Sequence, residues 1–336
     1  MARIGMIGAG SWGTALAAHL SRCGHKVEVW SIMQDETDMI NNTHQQSVKL
    51  PGVILDSSVT ASTDLEQVMR DKDMLVLAVP SAFTRNTART MSKYCRYGQL
   101  IVSVAKGIEE DTLLILTEVI KQEIPHCEAA VLCGPTHAEE VGIGLPTAIV
   151  AGAARREVAE YIQSVFMGRT FRVYTSPDML GMQVGAALKN VIALAAGCSD
   201  GLGCGDNTKA ALITRGISEI SQIGTLMGGK PATFSGLTGI GDLIVTCASM
   251  HSRNRRAGIL IGKGMTADEA MKEVKQVVEG VYSAKAALQL ADKYEVEAPI
   301  IRAVNRVLFG NEAPGMAVED LMLREGKTES DDHAWE

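Results

Sequence analysis

A lysine stands inside an apolar run, Val184-Gly185-Ala186-Ala187-Leu188-Lys189-Asn190-Val191-Ile192. An ammonium in such a stretch is costly to bury unless it is paired or used. A buried lysine beside a second cation has a lowered pKa, which suits proton transfer. The plain alternative is a lysine snorkelling from one exposed helix face. Asn190, next in line, could orient a neighbour or a substrate oxygen. A second lysine, Lys106, lies in Ala105-Lys106-Gly107. It is either an ordinary loop lysine or a charge directed at an anionic ligand. A third group runs Gly239-Ile240-Gly241-Asp242-Leu243-Ile244-Val245-Thr246, then Ser252-Arg253-Asn254-Arg255-Arg256. Asp242 sits in a glycine-rich turn, where an acid can also serve as a helix cap. The arginines match phosphate oxygens with two parallel N–H bonds, and Asn254 can add an amide donor. The same composition also fits a solvated basic helix face.

Gly8-Ala9-Gly10-Ser11-Trp12-Gly13 follows the apolar run Arg3–Ile7 and precedes the apolar helical stretch Thr14–Arg22. Strand, glycine turn and helix in this order form the fingerprint of a dinucleotide site. Gly8 permits the sharp turn, Gly10 lets a pyrophosphate approach the backbone, and Gly13 lets the helix pack close to the sheet. The helix N-terminus offers free N–H groups and partial positive charge to phosphates.

The elements that position these residues divide the chain in two. Short apolar runs at Arg3–Ile7, Lys26–Trp30, Met74–Val79, Leu100–Val104, Ala129–Leu132 and Thr147–Val150 predict strands of a parallel sheet covered on both faces. Phe171–Tyr174 is a candidate last strand. Helical patterns at Asp64–Arg70, Thr84–Tyr94 and Thr112–Glu123 alternate with them, the last starting at Asp111-Thr112. This alternation predicts a doubly wound α/β domain over residues 1–177. After Pro177 only helices are expected: Met179–Ala196, Thr208–Met227 capped by Asp206-Asn207, Thr266–Val278, Ser283–Tyr294 and Pro299–Leu308. Thr266 and Glu269 have capping-box spacing. Residues 178–336 thus read as an all-α domain whose tail, from Glu325, is frayed.

Ligands of an open α/β sheet bind beyond the carboxyl ends of its strands. Val79-Pro80-Ser81, Ala105-Lys106-Gly107 and Cys133-Gly134-Pro135-Thr136 should therefore face one crevice, with Lys106 their only cation.

Bulk properties exclude several classes. The 336 residues suffice for about two domains, and 46% hydrophobic with 21% charged residues is ordinary for a globular protein. A net charge of −7 gives no general attraction to nucleic acid or anionic membrane, so an anionic ligand needs a local basic cluster. No apolar run is read as long enough to span a bilayer, and the N-terminal run flows into the glycine turn rather than a signal-peptide cleavage site. The seven cysteines lack CxxC or zinc-ligand spacing, so no metal site is expected. They read as reduced, buried small apolar side chains in a cytosolic protein.

Together these segments resemble bacterial NAD(P)-dependent glycerol-3-phosphate dehydrogenase. The resemblance runs over nearly the whole chain. It includes GAGSWGTA, VAVPS, AKGIE, CGPTHAEE, GAALKNVIALAAGCSDGLGCGDNTKAALITRG, TGIGDLIVTC, SRNRR and QVVEGV. It implies an N-terminal Rossmann-type domain, an all-α substrate domain and a homodimer. It also implies reversible reduction of dihydroxyacetone phosphate to glycerol 3-phosphate, supplying phospholipid biosynthesis in the cytoplasm. Position by position, Lys189 falls on the general acid/base and Asp242 on the acid beside it. Lys106 falls on a lysine touching substrate and cofactor. Gly134, Thr136, Ser252, Arg253 and Asn254 match substrate contacts, with Thr246 beside them. Ser11, Trp12, Ala138, Val277 and Glu279 match cofactor contacts, and Arg253 reaches the cofactor too.

The coenzyme-selecting stretch departs from the family. An acid at the end of the second strand favours the ribose hydroxyls of NAD, and a nearby arginine favours the 2′-phosphate of NADP. Here Trp30 is followed by Ser31, Ile32 and Met33, where many relatives carry a basic residue. Glu28 precedes the strand end, and Lys49 could approach the adenosine side. Ser31 serves either coenzyme, and only the family tilts the reading to NADP. Two other readings compete. One is a related dehydrogenase for a 3-hydroxy acid, a ketopantoate-like substrate or a sugar nucleotide, which would not need the arginine segment. The other is a nucleotide-sensing module, which would not need Lys189 and Asp242 together.

Overall fold

The computed structural model describes residues 1–326, 328 and 329; most of the tail expected to fray lies outside the described residues. Among the described residues there are ten strands: β1 Arg3–Ile7, β2 Lys26–Trp30, β3 Gln45–Gln46, β4 Leu50–Ile54, β5 Thr60–Ser62, β6 Met74–Leu77, β7 Leu100–Ser103, β8 Glu128–Cys133, β9 Thr147–Gly152 and β10 Phe171–Ser176. Eight form one sheet in the order β10-β9-β8-β7-β6-β1-β2-β5, while β3 and β4 make a separate hairpin. Side chains of β1 alternate between two cores: Ile4 and Met6 pack on one face of the sheet, Ile7 on the other. The reversal of order around β1 creates the crevice beyond the strand ends.

The sequence reading expected a parallel sheet, but the sheet is mixed. β8 pairs antiparallel with β9, and β9 and β10 are parallel to each other. The connection from β8 to β9 holds only the six-residue helix Ala138–Ile143. Six helical residues span about 9 Å, less than half of a six-residue strand's roughly 20 Å, so this helix cannot carry the chain back to the other end of the sheet. The short helix instead stays at the carboxyl end of β8, beside the crevice.

Other boundaries also moved. The expected helix start at Asp111-Thr112 is a turn; the helix is Leu116–Glu123. Ile108 and Ile115 bridge antiparallel, Leu113 has φ of 60°, and Thr112 donates to Glu109 Oε2 at 2.5 Å. Asp206-Asn207 does not cap the next long helix, which spans Gly205–Leu226 with Cys204 at its cap. Thr266 and Glu269 do form the capping box. Not all cysteines are buried: Cys127, Cys133 and Cys247 are, the other four are partly exposed, and all seven are free.

No strand occurs after Ser176 among the described residues. Asp178 caps the helix Met179–Leu202 by accepting from Gly181 N at 3.0 Å. That helix runs six residues beyond the expected end and is the axis of the second core. It corrects the sequence reading on membranes. With a mean hydropathy of 1.4 it is long and apolar enough to span a bilayer, but 83% of that window is buried inside the protein.

Two glycine pairs at four-residue spacing set the crossing of this helix with Arg253–Gly262. A Cβ on Gly197 would meet Arg255 O at 2.2 Å, and one on Gly258 would meet Leu194 O at 2.2 Å. Gly201 and Gly262 repeat the contact one turn later. The two backbones therefore touch.

Glu219, almost fully buried, fixes another helix end. Its Oε1 accepts from Ile300 N at 2.8 Å and its Oε2 from Ile301 N at 3.1 Å, at the start of helix Pro299–Phe309. Burial pushes its pKa up to about 7, against these two donors. A carboxamide would turn an N–H₂ toward one donor, leaving it unpaired. Glu219→Gln is expected to lower unfolding stability by about 1–3 kcal/mol, measured by denaturant titration.

Candidate active site

The glycine turn is built as its residues require. Gly8 adopts φ of 121°, where a side chain is strained, and a Cβ would lie 2.9 Å from Ala78 O. A Cβ on Gly13 would lie 2.1 Å from Gly8 O, so the helix Ser11–Arg22 can sit this close only with glycine there. Gly10 differs: a Cβ would meet no protein atom within 4 Å. Gly10, Ser11 and Trp12 line a cleft of about 210 Å³. Open backbone beside a helix N-terminus fits the pyrophosphate of a dinucleotide.

The rest of the cleft is built from both halves of the chain. Lys106, Thr136 and Ala138 reach the cleft from the ends of β7 and β8, and Lys189, Asn190 and Thr246 from helices beyond. Ser252, Arg253, Asn254, Val277 and Glu279 also line it. Asp242 lies beneath the floor, fully buried. Gly134 contributes only its carbonyl, which accepts from Lys106 Nζ at 2.9 Å.

Two ammonium groups converge on the Asp242 carboxylate. Lys189 Nζ donates to Oδ1, and Lys106 Nζ donates to Oδ2 at 2.8 Å. Lys189 also donates to Thr246 Oγ1 at 2.6 Å, and that hydroxyl donates to Asp242 O at 2.6 Å. Lys106 is further bonded to Thr136 Oγ1 at 3.4 Å. Burial pushes the Lys189 pKa down to about 7, with Asp242 opposing and Lys106 assisting. This places its titration where both protonation states are populated near neutrality.

Local structure explains this convergence. Leu237–Gly241 forms a π-helical turn that delivers Asp242 to the start of helix Asp242–Ala248. Gly185 allows the turn to touch the Lys189 helix, since a Cβ there would lie 2.9 Å from Thr238 O. Asn190 lines the cleft and is also tied to a neighbour. Its Oδ1 accepts from Asn254 Nδ2 at 2.9 Å, and Asn254 Oδ1 accepts from Gly280 N at 2.8 Å. This relay ties the lysine helix to the arginine segment.

Ser252 caps helix Arg253–Gly262, its Oγ accepting from Arg255 N at 3.2 Å. Arg253 remains open to solvent within a concave wall. Partial desolvation by the surrounding wall holds its pKa below the ordinary guanidinium value, with Glu279 and Glu139 opposing and Arg256 assisting. Arg255 is not alike with it, being committed to Asp200 Oδ2 at 2.7 Å.

Glu279, expected at the cofactor from the resemblance, lines the cleft, while His137 and His251 escaped the sequence reading. Glu279 accepts from Ser81 Oγ at 2.5 Å and from Ser81 N at 3.2 Å, bridging the loop after β6 to the helical half. Burial raises the Glu279 pKa, against those two donors and Arg253. His137 and His251 line the cleft with ring centroids 5.7 Å apart. Burial, Lys189 and Lys106 lower the His137 pKa. No sequence signal pairs these histidines, which are far apart in the chain.

Ser31 and Lys49 lie outside the cleft lining. Ser31 is buried, and its Oγ donates to Glu36 Oε2 at 2.6 Å. Lys49 Nζ pairs with Glu36 Oε1, and Lys49 O accepts from Ser11 Oγ at 2.6 Å.

Comparison with known proteins agrees with this geometry. Residues 3–159 match the family model for the NAD-dependent glycerol-3-phosphate dehydrogenase N-terminus, and residues 178–319 that for its C-terminus. The chain belongs to the NAD-dependent glycerol-3-phosphate dehydrogenase family. It is 60% identical to the NAD(P)+ glycerol-3-phosphate dehydrogenase of Agathobacter rectalis, with 100% of both chains covered. Identity to the enzyme of that name from Fusobacterium nucleatum is 54%, covering 98% of this chain and 99% of the relative. The glycerol-3-phosphate dehydrogenase structure from Coxiella burnetii superposes with a TM-score of 0.93 at 35% identity, covering 96% of this chain and 99% of that one. The dehydrogenase family thus spans both the Rossmann-like sheet and the helical half.

Proposed function

We propose that this enzyme reduces dihydroxyacetone phosphate reversibly to glycerol 3-phosphate with NADH or NADPH. The observation that carries the reading is the meeting of Lys106 and Lys189 on one buried carboxylate beside the glycine-turn cleft. A bound nicotinamide coenzyme supplies the hydride. Lys189 gives its proton to the carbonyl oxygen during reduction and takes it back during oxidation. Asp242 and Thr246 hold that ammonium in place. Lys106 and Thr136 position the triose, and Arg253, Ser252 and Asn254 hold its phosphate at a helix N-terminus. Asn190 acts through Asn254. Ala138, Val277 and Glu279 border the nicotinamide end, and Gly8 through Gly13 hold the pyrophosphate.

Proton transfer gives the two directions opposite pH dependence. Reduction needs the ammonium, so its kcat falls as pH rises past the cluster's apparent pKa near 7. Oxidation needs the neutral amine, so its kcat falls as pH drops below the same value. Initial rates from pH 5.5 to 9 in both directions check this; parallel limbs would remove Lys189 as the proton carrier. The substrate assignment is tested by initial rates with dihydroxyacetone phosphate and each reduced coenzyme, beside ketopantoate and 3-oxo acids. Turnover confined to the non-phosphorylated substrates would overturn it.

The same proposal sets the domain boundary after Pro177 and takes the protein as a cytoplasmic homodimer supplying phospholipid synthesis. It is supported by large apolar side chains exposed on the helical half, among them Leu226, Met316 and Leu323. Net charge of −7 argues against nucleic acid as a partner. Light scattering tests the dimer.

A further inference from the structure

We propose that Glu36 makes this enzyme selective for NADH over NADPH, by accepting from the adenosine ribose hydroxyls and by keeping Lys49 from a 2′-phosphate. The proposal rests on the reading that the coenzyme's adenosine end lies where β2 ends.

The backbone places that end firmly. Gly8 N donates to Trp30 O at 2.9 Å, so Ser31 lies one residue past a direct contact with the glycine turn. The two coenzymes differ only in the 2′-phosphate of this ribose, and an acid near this strand end selects the unphosphorylated form. The strand itself offers no acid at its end. Glu36 reaches back from the first turn of helix Gln34–Thr43 and supplies one. Its Oε2 accepts from Ser31 Oγ at 2.6 Å. The serine hydroxyl is thereby committed to a carboxylate rather than free for a phosphate.

The cation that would answer a 2′-phosphate is Lys49, and Glu36 Oε1 holds its ammonium. The Lys49 backbone cannot drift away from this position. Its carbonyl accepts from Ser11 Oγ at 2.6 Å, and its N–H donates to Gln46 Oε1 at 3.3 Å. Gln46 Nε2 in turn donates to Ala9 O at 3.2 Å, stitching the β3–β4 hairpin to the glycine turn. The pair Glu36–Lys49 is therefore neutral and fixed beside the coenzyme's entry. From Ser31 to Lys49 the chain carries Asp35, Glu36 and Asp38 against Lys49 as the only lysine, with no arginine. A 2′-phosphate would take Lys49 only by leaving its own charge beside the Glu36 carboxylate. Ribose hydroxyls leave the ion pair intact and donate to the carboxylate's remaining lone pairs.

The test is a titration of the intact protein with NADH and NADPH, read by tryptophan fluorescence and calorimetry, on wild type and Glu36→Gln. Wild type is expected to bind NADH at least tenfold more tightly. Glu36→Gln is expected to bring the two Kd values within about threefold, mainly by tightening NADPH. A wild-type preference for NADPH, or equal affinities, overturns the proposal without any variant. So does a folded Glu36→Gln, judged by an unchanged Tm, that keeps the wild-type ratio. Failure of the broader function reading appears elsewhere, as bound coenzyme without turnover of dihydroxyacetone phosphate.

Discussion

Replacing Lys189 by methionine is expected to lower turnover of dihydroxyacetone phosphate by roughly 10²–10⁴-fold, the usual contribution of a positioned proton donor. Methionine fills the space without a cavity, so the loss reports the ammonium and not the packing. Coenzyme binding should persist, because the glycine turn is on the other wall of the cleft. The variant also removes a pH dependence of stability. Lys189 has a folded pKa near 7, below its unfolded value of about 10.4. Between those values the unfolded chain binds the extra proton, so this residue's contribution to stability rises with pH across that window. Denaturant titrations at pH 7 and 9 should show a smaller difference for Lys189→Met than for wild type. Near-normal turnover in the folded variant would remove Lys189 from its role.

Replacing Asp242 by alanine should do more damage to the fold than any other change in the site. The carboxylate is fully buried and serves both Lys106 and Lys189. Removing one partner of a buried pair typically costs about 3–5 kcal/mol, because the remaining charge has no counter-ion. Lys189 can relieve part of this by losing its proton, which pushes its pKa further down. Two readouts follow: an unfolding free energy lowered by about 3 kcal/mol at pH 7, and a reductive pH limb displaced toward acid. A variant as stable as wild type, with its pH profile in place, would mean that the three charges do not act as a unit.

Much of this site was legible before any coordinates. Lys189 stood out because an ammonium in an apolar helix needs a reason, and Gly8 through Gly13 because each glycine has a mechanical role. Asp242 and Arg253 were visible as local composition. Their joining was not, because it depends on backbones that touch at Gly197 with Gly258 and at Gly185 with Thr238. The four-residue glycine spacing was present in the sequence and could have signalled the crossing. Glu36 was hidden for another reason: it is a helix residue whose effect falls on the end of the preceding strand. The antiparallel β9 was misjudged because a strand paired on both sides and covered by neighbours has the same apolar texture in either direction.

The touching glycines have a practical consequence for anyone reshaping this catalyst. Lys189 and Arg253 ride on two main chains that leave no room for adjustment at their crossing. Widening the pocket for a bulkier ketone from that side would dismantle the spacing that the reaction needs. Room is more readily found along the rim at Gln276, in the short connection between helices Ala267–Val274 and Glu279–Lys293.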